Sequence, residues 1–163
     1  MRPLTLLCAG MATFALALGY AGQALWAGVG VAVAIGLLWL AGDRRGWDWA
    51  AEPCLAGWVG LAAFGAWRGV NSSWMLIGVV AALAAWDLGH FIARLRGAGA
   101  ITQAAELTRA HLRRLAVVAA AGLLLGGIAL GIRVDLTFGW AILAAALAII
   151  GLSRLIGAGG REG

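Results

Sequence analysis

An all-α fold threaded through a lipid bilayer, a polytopic membrane protein of six transmembrane helices with one amphipathic cytoplasmic connector, is what this sequence predicts, and three observations predict it. The 163 residues are 63% hydrophobic and 12% charged, more apolar surface than one small core can hide, because small domains leave a large share of their surface exposed. Apolar runs of spanning length recur along the whole chain. The twelve basic residues, all arginine, sort to one side of those runs. With the amino terminus in the cytoplasm, Arg2, Arg44, Arg45, Arg94, Arg96, Arg109, Arg113, Arg114, Arg154 and Arg161 stay inside, and Arg68 and Arg133 lie outside. Both termini are therefore expected in the cytoplasm, in a single bundle domain of the inner membrane.

Residues 3–42 carry no charge, long enough for two crossings at ~20 residues each. Tyr20, Ala21, Gly22 and Gln23 punctuate the run and divide it into helix one, 3–20, and helix two, 23–41. An apolar run after Arg2 also suits a secretory signal. Leu7 before Cys8 is too large for lipoprotein cleavage, however, and the run continues to Gly42, which favours an uncleaved hairpin. Asp43, Arg44, Arg45, Gly46, Trp47, Asp48 and Trp49 form the next loop. Helix three, 52–68, starts near Pro53, whose missing amide is harmless in a first turn. Fifteen residues separate Glu52 from Arg68, roughly 22 Å of helix, so its ends must snorkel. Asn71, Ser72 and Ser73 offer an N-cap to helix four, 74–92.

The polar connector, 94–114, repeats Ile101, Ala104, Ala105, Leu107 and Leu112 at helical spacing among Gln103, Glu106, Arg109 and Arg113, so a surface helix is expected there, continuing into helix five, 115–132. Arg133, Val134 and Asp135 turn the chain into helix six, 136–152. Small residues recur every four positions in several spans: Ala9, Thr13, Ala17 and Ala21; Gly28, Ala32 and Gly36; Gly122 and Gly126; Gly127 and Gly131. Such rows let helices approach where lipid supplies no hydrophobic drive.

Several chemistries are excluded. Without lysine no Schiff base forms, and Ser72, Ser73 and Ser153 have no histidine relay beside them. The arginines sit at span ends rather than on a basic domain, so their expected counter-ions are anionic lipid headgroups, not nucleic acid. Cys8 and Cys54 are expected to remain reduced thiols on the cytoplasmic side. Ion pathways need ionisable groups at mid-membrane, and Asp87 alone falls inside a predicted span.

Asp87 and His90 are three apart and share a helix face, which Arg94 continues. With Glu106, Arg109, His111, Arg113 and Arg114 they form a candidate structural or partner contact. The expected arrangement pairs Asp87 with Arg113 or Arg114, locking helix four to helix five; a haem or metal held by His90 and His111 is the competing reading. Outside, Arg68, Asn71, Arg133 and Asp135 beside Trp67, Trp74 and Trp140 suit either a shallow solute pocket or an aromatic belt, and nine tryptophans favour the belt. No cofactor is expected.

The run Trp86, Asp87, Leu88, Gly89, His90, Phe91, followed by a basic linker and the segment 105–114, resembles a family of small prokaryotic multi-pass membrane proteins to which no activity is assigned. In them a Trp-Asp at the end of a span precedes an amphipathic connector. The resemblance covers helices four to six and implies that Trp86, Asp87 and the connector form a structural junction. By elimination the expected function is a non-enzymatic accessory, assembly or scaffold subunit that binds a membrane or cytoplasmic partner. The rival is a substrate-capture subunit of a transporter, similar to the six-span capture components of vitamin transporters; a haem or metal-binding anchor is the third reading.

Overall fold

The computed structural model describes residues 2–97 and 104–131, and all the regular structure among them is helical: α1 (Arg2–Ala21), α2 (Trp26–Arg45), one 3-10 turn (Asp48–Ala50), α3 (Ala51–Trp67), α4 (Ser72–Gly97) and α5 (Ala104–Gly131). Four of these, α1, α2, α4 and α5, are long and apolar enough to cross a membrane, as a multi-pass membrane protein requires. The fifth, α3, has 17 residues, about 25 Å of helix against a hydrocarbon core of ~30 Å. The expected helix six, 136–152, lies outside the described residues, as do Arg133 and Asp135.

Helix ends follow local chemistry, and several of them differ from the sequence-based boundaries. The first break falls at residues 22–25, where Ala24 adopts φ 56° and the amides of Gln23 and Leu25 both donate to Tyr20 O. Asp43, Arg44 and Arg45, expected in a loop, instead extend α2 by a further turn. Basic groups there face the negative end of the helix dipole, and Gly46 at φ 69° ends the helix; the left-handed conformation is one that glycine adopts without steric cost. Trp47 N then closes onto Gly42 O at 2.9 Å. Asn71 caps α4 as expected, its Oδ1 accepting from Ser73 N at 3.0 Å. The helix runs on to Gly97 rather than stopping near 92. The described part of the expected connector is not a separate element, since Ala104 to Arg114 are the first turns of α5.

The core forms around α1, which packs on α2, α3 and α4. Its larger side chains meet glycines. Thr13 and Tyr20 lie against Gly36 and Gly28 of α2, while Leu16 lies against Gly78 of α4, and Met75 and Trp74 of α4 lie against Gly19. These pairings run in opposite directions along the two chains, so α1 is antiparallel to both neighbours. A Cβ at Gly78 would stand 2.7 Å from Leu16 Cγ, and one at Gly28 would collide with the Tyr20 ring. Tyr20 is 1% exposed and reaches past Gly65 to donate its hydroxyl to Leu61 O of α3 at 2.7 Å. One side chain thus joins three helices. Nearer the other end Trp39 and Trp58, both buried, pack at 5.3 Å between ring centroids, so these two indoles fill the core rather than the interface.

Helix α5 contacts α4 alone among the described helices. Gly126 lies against Leu76 and Gly122 near Val80, again an antiparallel match. None of its side chains from Glu106 to Gly131 is buried, and Val117, Val118, Leu124 and Leu125 are each at least 60% exposed. An apolar surface of that extent needs lipid or protein around it.

These contacts predict an asymmetry between two neighbouring glycines of α2. Gly28→Ala, forced against Tyr20, should destabilise the bundle in detergent by about 1–3 kcal/mol. Gly30→Ala, with nothing within 4 Å of the added methyl, should leave stability unchanged or raise it by up to ~1 kcal/mol through helix propensity. Equal shifts in thermal unfolding for the two variants would contradict the packing described.

Candidate functional site

Most charged groups of the described residues gather at one end of the bundle. The start of α1, the end of α2, the start of α3 and the end of α4 meet there, as shown by a cavity of about 420 Å³ lined by Thr5, Asp43, Trp47, Glu52 and His90. Arg44, Arg45 and Arg94 belong to the same end by their places in α2 and α4. Arg45 lies over the Trp47 ring at 5.0 Å, and Trp47 stacks with Trp49. At the opposite end Arg68 is exposed above Phe64, 5.9 Å from the ring. Gln23 there donates to Gly69 O at 2.7 Å.

The second and larger cavity, about 870 Å³, is a groove between α4 and α5. At one level Asp87 of α4 meets His111 of α5, with Oδ2 and Nε2 2.9 Å apart. The imidazole N–H is not aligned along the contact, which is electrostatic rather than a directed hydrogen bond. For the contact to be attractive Nε2 must carry its proton, so the carboxylate sets the tautomer. On its other side the imidazole stacks on Phe91, with centroids 4.0 Å and planes 1° apart. Asp87 and Phe91 are four apart on one face of α4 and together clamp a single side chain of α5.

The expected lock between the two helices is present, but its partner is corrected. Asp87 pairs with His111 and not with Arg113 or Arg114. On α5 the groove face is His111, Arg114, Leu115, Val118 and Gly122, a three-four spacing that puts His111 level with Asp87 and Arg114 one turn deeper. Arg113 is two positions from His111, about 200° around the helix, and is exposed with Glu106 and Arg109 away from the groove lining. Asp87 and His90, three apart on α4, nevertheless line different cavities. Three residues make 300° of turn and four make 400°, so Phe91 and His90 lie on opposite flanks of Asp87. Phe91 lines the α4–α5 groove and His90 lines the other cavity.

His90 is folded back on its own helix, its Nδ1 3.1 Å from Trp86 O and its ring 4.4 Å from the Trp86 ring. The two histidines therefore line separate cavities, and among the described residues no three His, Cys, Asp or Glu side chains converge as a metal site would need. Arg68 and Asn71, proposed as an outer solute contact, line neither cavity; Arg133 and Asp135 lie outside the described residues. Trp86 was legible as part of the expected junction, whereas Phe91 was not, since an aromatic four residues from a carboxylate reads equally well as lipid-facing surface.

Compared with protein-family models, curated proteins and solved structures, the chain matches none.

If the clamp joins α5 to the bundle, Asp87→Ala and His111→Ala should be coupled. A double-mutant cycle on unfolding in detergent should give about 0.5–1 kcal/mol of interaction energy, in the range of polar pairs between membrane helices. Additive effects would mean that apolar packing alone seats α5.

Proposed function

We propose that the chain is a non-enzymatic, multi-pass subunit of the inner membrane, an accessory, assembly or scaffold component whose sixth span and cytoplasmic termini complete the pattern of its arginines. The observation that carries this reading is α5. It is a 26-residue apolar stretch, Glu106–Gly131, joined to the rest of the described bundle through α4 only, and so it offers an extended helical face to a neighbour. Among the described residues nothing lies within 4 Å of a Cβ added at Gly127 or Gly131, which leaves a small-residue row for a helix of a partner subunit.

Two further features support it over the rival readings. The α1–α4 interior is filled by Leu16, Tyr20, Trp58 and Leu88, side chains that give a translocated ion no replacement for its hydration shell. The capture reading calls for an outward cavity around Arg68 and Arg133; Arg68 lines neither of the two cavities described above, and Arg133 lies outside the described residues.

Gentle detergent extraction from the native membrane should bring down a stoichiometric protein partner, and a photo-crosslinker at Leu124, 68% exposed, should join to it. Recovery of the chain alone with a tightly held small solute would replace this reading by the capture one. For the orientation, a reporter fused near residue 100 is expected to be active in the cytoplasm; activity in the periplasm would reverse the topology.

A further inference from the structure

The α4–α5 groove has a chemical gradient along its length. Arg94 and Arg114 both line it. Among the described residues neither guanidinium has a carboxylate within 4.0 Å or a hydrogen-bond partner. Between their levels Asp87 is already occupied by His111, so it does not answer either arginine. Below them the lining is apolar, with Val80, Leu83, Leu115, Val118 and Gly122.

Orientation brings the two charges toward each other. Side chains on a helix tilt toward its amino terminus. Arg94 on α4 therefore leans down the groove and Arg114 on the antiparallel α5 leans up it. From Arg94 to Val80 is about 20 Å of helix, close to one hydrocarbon leaflet of ~15 Å plus its interface. Trp86 lines the same groove. The groove thus supplies two cations that lean toward each other from either side of the Asp87–His111 pair and, below Arg114, an apolar trough.

We propose that this groove is a binding site for one anionic phospholipid. The phosphate lies between Arg94 and Arg114, and one acyl chain lies against Leu83 and Val118. A protein helix placed there would have to bring its own anion to the level of the arginines, whereas a phospholipid carries anion and apolar chain joined in that order. The inference rests on the membrane reading above but not on the presence of a partner subunit, so a failure to recover a partner leaves it standing. A chain that stays soluble without detergent would sink the membrane reading and this one together.

The test is native mass spectrometry of the full chain in mild detergent, titrated with phosphatidylglycerol or phosphatidylcholine. One phosphatidylglycerol should remain bound under activation that strips phosphatidylcholine. R94Q/R114Q should lower its occupancy roughly thirtyfold, the product of two headgroup contacts, and R44Q/R45Q should leave it unchanged. Equal retention of the two lipids, or unchanged binding by R94Q/R114Q, overturns the proposal. Because that double variant can fail to fold, the unaltered chain is also labelled with a phosphatidylglycerol bearing a photoactivatable acyl chain. Adducts should map to residues 80–83 and 115–122. Adducts elsewhere, or none in those stretches because protein fills the groove, refute the site.

Discussion

Backbone approach at glycine is the constraint on which the bundle depends. In lipid there is little to gain by burying one apolar side chain against another, so helices hold together through close packing and through the few polar contacts they can make. In this chain both come from α1. Thr13, Leu16 and Tyr20 each stand opposite a glycine on a neighbouring helix, and the Tyr20 hydroxyl reaches the backbone of α3 because Gly65 has no Cβ in the way. The order of helices around α1 follows from which glycines face it.

A second consequence is the separation of an interior from a flank. Tryptophan, which usually marks the interface, also serves here as core filling, since Trp39 and Trp58 pack on each other where the α2–α3 turn draws their helices together. The charged groups are left at the ends and on the outer face of α4. There Asp87 and Phe91 take His111 between them, and the single-sided attachment of α5 creates the groove. A helix seated by one neighbour exposes more surface than a helix inside a bundle, and that surface is where lipid or a partner must act.

The physical reasons for the differences between sequence and structure are specific. Helix two runs past its apolar stretch because arginines at a carboxy terminus are favoured by the helix dipole, so charge alone did not mark its end; Gly46 did. Asn71 was legible as a cap because its side chain bonds within two residues of itself, a local event. The partner of Asp87 was not legible. Arginine is the commoner mate of a carboxylate, but which of four nearby cations stands opposite depends on the register of α5 against α4, and that register is set by Gly122 and Gly126 fitting against Val80 and Leu76.

What the sequence by itself determined is the helical class, the length and hydropathy of the spans and the gathering of arginine between them, because these depend on composition and on spacing along one helix. Tertiary structure alone decided that Tyr20 would tie three helices, that His90 and His111 would part into different cavities, and that α5 would lean on α4 alone among the described helices. Each of those outcomes turns on rotation and axial register between helices. A few tens of degrees or one turn exchanges the residues in contact while leaving every local propensity unchanged.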